Sequence, residues 1–151
     1  MTITIRPLEE EDRSMFIAMI QAMHGESKYK AIPFEDDKIN WAVDDVLQND
    51  SMTCYVAEKE GSLLGFIAMQ IMTYYFNRGT YATDQSFYVY PSWRMTSVPM
   101  RLIRAAELWA EINRCGAIVL GVTAPESLEK VEKFYTKIGY QKWGSIVRKE
   151  F

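Results

Sequence analysis

The sequence predicts an α/β domain in which helices pack on a mixed, mostly antiparallel sheet. Three observations lead there. Between Met52 and Tyr90, three segments of alternating character are joined by short turns, as in an antiparallel meander. At Pro91 the apolar period changes from two to about 3.6, so a strand runs almost directly into a helix. After that helix an unbroken apolar run, Ala117-Ile118-Val119-Leu120-Gly121-Val122-Thr123, reads as a strand buried on both faces, the kind that follows a β-α-β crossover. Helices on such a sheet make a three-layer arrangement.

Taken in order, Thr2 to Arg6 alternate Ile3 and Ile5 with polar neighbours and form a short strand ended by Pro7. Glu9, Glu10, Glu11 and Asp12 gather where a helix begins, which favours its dipole. Met15, Phe16, Met19, Ile20 and Met23 supply that helix with an apolar stripe. His24 to Phe34 has neither period and reads as a loop, either a site wall or a solvated connector. Glu35 to Gln48 is a second helix, with Ile39, Val43, Val46 and Leu47 inward and Asp36, Asp37, Asp44 and Asp45 outward.

Strands follow at Met52–Glu58, Leu63–Tyr75 and Tyr81–Tyr90, with turns at Lys59–Ser62 and Asn77–Gly79. Pro91 stops the last of them because it brings no N–H to a ladder. In the next helix Val98, Leu102, Ala105, Ala106, Trp109 and Ile112 share the inward face. Pro125 to Ile138 is a helix with Leu128, Val131, Phe134 or Tyr135, and Ile138 inward, and Gly139 at its C′ position. Tyr140 to Phe151 is a closing strand, interrupted near Gly144.

A chain of 151 residues fits one domain, 1–151. Its 48 % hydrophobic content indicates a packed core. A net charge of −3 with no run of Lys or Arg argues against a nucleic-acid surface and a polybasic membrane patch. Two cysteines and one histidine cannot supply a four-ligand structural zinc site by themselves, so no metal is expected. Cys54 and Cys115 read as reduced small hydrophobes, and with no signal segment or long apolar run the expected location is the cytoplasm.

The order β-α-α-β-β-β-α-β-α-β meets particular residues, and the chain resembles the GCN5-related N-acetyltransferases (GNAT fold) over essentially its whole length. Ile5-Arg6-Pro7-Leu8 with Glu11-Asp12 is similar to that family's opening strand and turn. Tyr88-Val89-Tyr90-Pro91-Ser92-Trp93-Arg94 is similar to the strand and turn that enter its acetyl-CoA motif. Phe134-Tyr135-Thr136-Lys137-Ile138-Gly139-Tyr140 is similar to its fY-x-k-x-GF/Y signature, and Ile118 to Thr123 sits where its fifth strand belongs. The final third also resembles small phage-encoded GNAT-like proteins.

The resemblance implies a central sheet of six to seven strands flanked by four helices, with the fourth and fifth strands splayed apart around acetyl-CoA. It implies backbone pairing of the pantetheine near Tyr88, Val89 and Tyr90. It places the pyrophosphate on a loop of pattern R/Q-x-x-G-x-G/A, here Arg94-Met95-Thr96-Ser97-Val98-Pro99, followed by Met100. Ser97 and Pro99 stand where that pattern has small residues. Ser97 brings a hydroxyl but also a Cβ, and Pro99 removes one N–H yet suits a first helical turn. Three or four N–H groups remain around Thr96 to Met100. The family's early last-helix Asn has no counterpart, and Ser127 is the nearest polar substitute.

The implied activity is N-acetyl transfer from acetyl-CoA to an amine by direct attack in a ternary complex. A backbone N–H about Val89 would hold the thioester carbonyl. Tyr135 is the matched acid for the leaving thiolate, or else a packed aromatic. Asp84, Ser86, Tyr88 and Tyr90 share one strand face by period two, and Asp84 among aromatics is the candidate base, directly or through water, or else a strand cap. His24, Glu26 and Tyr29 are candidate acceptor contacts. Glu26, Glu35, Asp36 and Asp84 near that mouth favour a cationic acceptor, on a small molecule or a protein, or else form a solvated rim. The expected state is a monomer or homodimer. The alternative is a GNAT-fold module that binds a protein partner through the aromatic Tyr74–Tyr90 hairpin and turns over little or no acetyl-CoA.

Overall fold

The computed structural model describes residues 2–122 and 128–151. Residues 1–121 form one compact unit and 122–151 a second. In the first, strand β1 (Thr4–Pro7) is followed by one 3-10 turn and helices α1 (Arg13–Glu26) and α2 (Asp36–Gln48). Strands β2 (Met52–Lys59), β3 (Ser62–Thr73) and β4 (Thr80–Val89), helix α3 (Val98–Ile112) and the short β5 (Ile118–Val119) complete it. The second unit carries helix α4 (Leu128–Lys137).

The sheet order is β1-β2-β3-β4-β5, antiparallel throughout except for the parallel β4–β5 pair. The mixed, mostly antiparallel α/β fold is as expected, and among the described residues there are four helices and a sheet of five strands rather than six or seven. Among the described residues, 140–151 form no strand. Ile146 and Val147 are adjacent apolar residues beyond Gly144, so the segment has no single apolar face, and both are exposed.

Side-chain alternation assigns the two sheet faces. Val56, Phe66, Ala68 and Tyr88 join Phe16, Met19 and Val43 in one buried cluster beneath α1 and α2. Ile67, Met69 and Ala82, of opposite parity, are buried on the face that α3 covers with Val98, Leu102, Ile103, Ala106 and Ala110. The inward face of α3 is therefore rotated from the expected one, because Ile103 and Ala110 extend the same apolar stripe that Trp109 and Ile112 extend on its other side. Ile112 is exposed. The run after α3 departs likewise: β5 is two residues long and half-buried, not a long strand covered on both faces.

Two details position the rest. The β3–β4 register shifts between Ala68 and Met69, where Gln85 is an extra residue on β4. Gly65 lies opposite Val89, and a Cβ there would stand 2.8 Å from the Tyr88 carbonyl oxygen, so only glycine fits this approach. At the other end of the sheet Asp12 is buried and accepts two bonds from the Arg6 guanidinium, at 2.7 and 2.8 Å. In the second unit α4 ends as expected: Gly139 has φ +102, and the N–H groups of Gly139 and Tyr140 return to the carbonyls of Thr136 and Tyr135.

Candidate active site

Two parallel strands that begin paired and then part leave a cleft at their carboxyl ends. Here Ala82 pairs with Ile118 and Thr83 with Val119, and β4 runs on to Val89 with no further pairing to β5 among the described residues. The helix that follows β4 starts at the same end. Its N-terminus therefore faces the mouth of the fork with the positive end of its dipole.

The bulge at Gln85 decides which groups of β4 face the fork. Before it, Thr80 and Ala82 bond toward the β5 side, through Gly116 N–H to Thr80 O at 2.8 Å and Ala82 N–H to Ala117 O at 2.9 Å. Beyond it, Tyr90 N–H bonds back to Leu64 O on the β3 side at 2.9 Å. Alternation then directs the backbone groups of Phe87 and Val89 outward into the fork. The Val89 N–H is thus available to a carbonyl lying in the cleft, while the Val89 carbonyl accepts the Arg94 Nε–H at 2.8 Å.

The same bulge changes the side-chain faces. Ser86 and Tyr88 lie opposite Ala68 and Phe66 and point toward α1 and α2, whereas Asp84 lies opposite Met69 and points to the α3 side. The expectation that Asp84 shares a face with Ser86, Tyr88 and Tyr90 is corrected: one inserted residue reverses the parity. Asp84 Oδ1 accepts the Gly121 N–H at 2.8 Å, just past the last β4–β5 pair. Burial pushes its carboxyl above the ordinary value, against the lowering effect of that bond.

On the opposite face a second group of residues converges. Glu26, predicted in a loop, ends α1: the helix continues through His24 and Gly25 because no residue there forbids it. Its carboxylate accepts a short bond from the Tyr88 hydroxyl and pairs with the Arg94 guanidinium at 2.8 Å. Arg94 also lies over the Tyr88 ring, 5.4 Å from its centroid. A carboxylate at the negative end of a helix is unfavourably placed, so cationic and donor partners gather there. Burial would raise the Glu26 carboxyl, but the bonds from Tyr88 and Arg94 prevail and hold it below the ordinary value. Burial, reinforced by Glu26, pushes the Tyr88 phenol up.

The remaining expected site residues are distributed as follows. His24 Nε2 lies 2.7 Å from the Ile32 carbonyl and its ring 5.4 Å from that of Phe34, so it ties the loop after α1 back onto the helix. Tyr29 on that loop is exposed, with its N–H on Ser27 Oγ at 3.1 Å. Tyr90 is half-buried with its ring edge-on to Tyr88, and the Met95 side chain is exposed. Thr96 serves the turn itself: its N–H and hydroxyl reach the Trp93 carbonyl and its oxygen takes the Val98 N–H. The Val98 side chain is buried in the core. Ser97 stands at the N-cap position of α3 without a side-chain capping bond, and Pro99 occupies the first turn, as its fixed φ suits. Among the described residues no acceptor is opposite the N–H groups of Ser97 and Met100, so part of the expected amide set is spent on the turn. Tyr135 lies on α4 with its ring edge-on to Phe134 and Tyr140. Ser127 lies outside the described residues. Among the described residues no helix is long and apolar enough to cross a membrane.

Residue reading missed three members of this arrangement. Gly65 lies inside the expected strand Leu63–Tyr75 and Gly121 inside the apolar run after α3, and a glycine inside a strand signals close approach. The Glu26–Tyr88–Arg94 cluster joins positions 62 and 68 residues apart, and nothing local connects them.

Comparison with known proteins agrees with this geometry. No curated protein sequence matches the chain. Among solved structures, the aminoglycoside acetyltransferase AAC(6')-Iy, in complex with a CoA-linked bisubstrate analogue, superposes with a TM-score of 0.83 at 18 % identity, covering 100 % of this chain and 99 % of that one. AAC(6')-Ih from Acinetobacter baumannii gives 0.79 at 14 % identity, covering 99 % and 98 %. An acetyltransferase from Trypanosoma brucei gives 0.77 at 18 % identity, covering 99 % and 100 %. The family description "Acetyltransferase (GNAT) domain" matches residues 50–142, the stretch from β2 through the fork to the end of α4, and the chain belongs to that family.

Proposed function

We propose that this protein transfers the acetyl group of acetyl-CoA to a primary amine by direct attack within a ternary complex. The observation that carries the reading is the fork: among the described residues β4 and β5 pair only at Ala82–Ile118 and Thr83–Val119, and β4 runs on toward the N-terminal end of α3. The residues fit the cosubstrate. Outward backbone groups at Phe87 and Val89 suit the amides of a pantetheine arm, and the Ser97 and Met100 N–H groups with Arg94 suit a diphosphate.

The chemistry follows from these positions. Acetyl-CoA supplies an activated thioester. The Val89 N–H binds its carbonyl oxygen, where charge develops as the amine adds. The C–N bond forms, the C–S bond breaks, and the departing thiolate needs a proton, a role assigned to Tyr135 by its match to the family signature. Asp84 is five residues from Val89, about 16 Å of strand, and on the other sheet face from Glu26. We assign it to holding the fork at Gly121 rather than to taking the amine's proton, which leaves to water. His24 and Tyr29 shape the loop beside the acceptor, and Glu26 faces it.

The acceptor class is a cationic small molecule. Several structural neighbours are named as aminoglycoside acetyltransferases, one of them in complex with sisomicin. A release assay for CoA thiol, run on the purified chain with acetyl-CoA and a panel of sisomicin, spermine and a lysine-rich peptide, tests this. Amine-dependent thiol release with the small polyamines supports the reading. Absence of CoA binding by calorimetry overturns it.

A further inference from the structure

Arg94 has two partners in the structure, and both belong to the proposed reaction: the Glu26 carboxylate and the Val89 carbonyl, each at 2.8 Å. This is a peculiar commitment for the first residue of a phosphate-binding loop. Its guanidinium neutralises the carboxylate that faces the acceptor, and it fills an outward backbone acceptor of β4 within the fork. We propose that Arg94 acts as an internal stand-in for the acceptor's ammonium group, and that a CoA diphosphate draws it away, so that CoA binding itself opens Glu26 to a cationic amine.

The proposal rests on the acetyl-CoA reading and adds to it a gate on the acceptor's carboxylate, built from Arg94 and Glu26. Three features support the exchange. The Arg94 and Glu26 side chains are 44 % and 40 % exposed, and an ion pair that wet is weakly held and easily traded. A diphosphate offers a guanidinium more charge and the same two-pronged geometry as a carboxylate. Glu26 cannot follow Arg94, because it ends α1 and the part-buried Tyr88 hydroxyl holds it. Once Arg94 leaves, a carboxylate remains at the negative end of a helix with only a phenol for company, which is a site that seeks a cation. The Tyr88 ring face, now carrying Arg94 at 5.4 Å, would meet the same ammonium.

The test uses CoA as the probe and the full chain. In wild type, the Arg94 Nε–H resonance, assigned with Arg94→Lys, is followed by NMR while CoA is added, and the Glu26 carboxyl carbon is titrated with pH with and without saturating CoA. The exchange predicts that the Arg94 signal moves on CoA addition and that the Glu26 midpoint rises. It also predicts that Glu26→Gln, by removing the competing pair, binds CoA about two- to fivefold more tightly by calorimetry. CoA binding that leaves the Arg94 signal and the Glu26 midpoint unmoved overturns the exchange alone. No CoA binding to wild type overturns both this proposal and the acetyl-transfer reading.

Discussion

Two arginine–carboxylate clusters sit on this sheet, and they are built for different purposes. Arg6 forks onto Asp12 with two bonds and reaches Glu58 with a third at 3.0 Å, and the Asp12 side chain is only 5 % exposed. Its second oxygen also takes the Glu9 N–H at 2.9 Å, so the carboxylate closes the turn between β1 and α1. Arg94 makes one bond to Glu26 and one to a backbone carbonyl, and both side chains are largely wet. The residue types match but the surroundings do not. A buried, fully bonded pair cannot lose one member without stranding the other, whereas an exposed pair can change partners at little cost. The first is architecture, and the second is suited to a site.

The largest test of that contrast is Asp12→Ala, which should cost about 3 kcal/mol in urea unfolding by leaving Arg6 without its main partner. The bond from Arg6 holds the Asp12 carboxyl below its ordinary value, against the effect of burial. That contribution is present above the unfolded pKa, and it should fade as pH falls below about 4, through the lower folded value. Wild type and the variant should therefore converge in acid. A constant difference down to low pH would show that packing, not charge, makes the pair rigid.

Next in size is Gly65→Ala. With the Tyr88 oxygen 2.8 Å from the new methyl, the strands must separate, at about 1–3 kcal/mol. The displaced Val89 should also bind CoA more weakly, which calorimetry would register. Glu26→Ala should cost less than about 1 kcal/mol of stability yet raise the KM for the amine severalfold. A stability loss as large as that of Asp12→Ala would erase the distinction between the clusters. The smallest effect is expected at Asp84→Asn, which keeps an oxygen for Gly121 N–H. Because burial raises the Asp84 carboxyl, its charge is a penalty at neutral pH that is relieved as pH falls through the raised value. The variant should be slightly the more stable at pH 7, and the gap should narrow in acid.

What was legible in the sequence was what local pattern controls. Period-two and period-3.6 segments gave the order of elements, Pro91 the end of β4, and Gly139 the end of α4. The errors have physical causes. Ile112 and Trp109 compete with Ile103 and Ala110 for the inner face of α3, and only the sheet beneath chooses between them. Gly25 reads as a breaker, yet it lies one residue inside a helix end, where its cost is small. The inserted Gln85 carries no sign of its own, so the Asp84 side chain was placed on the wrong face. Tyr88 and Arg94 were identified individually, and Glu26 beside them, but their meeting depends on how α1 lies across β4.

That single extra residue at Gln85 has one more consequence. It sets the phase of everything downstream on β4, so the amide that faces the fork at Val89 is chosen by a bulge four residues, about 13 Å of strand, away from it. Taken into the ladder instead of bulged out, Gln85 would turn the Val89 N–H toward β3 and offer the cleft a neighbour instead. The register across β3, rather than the identity of any one residue of β4, would then decide which amide the cleft receives.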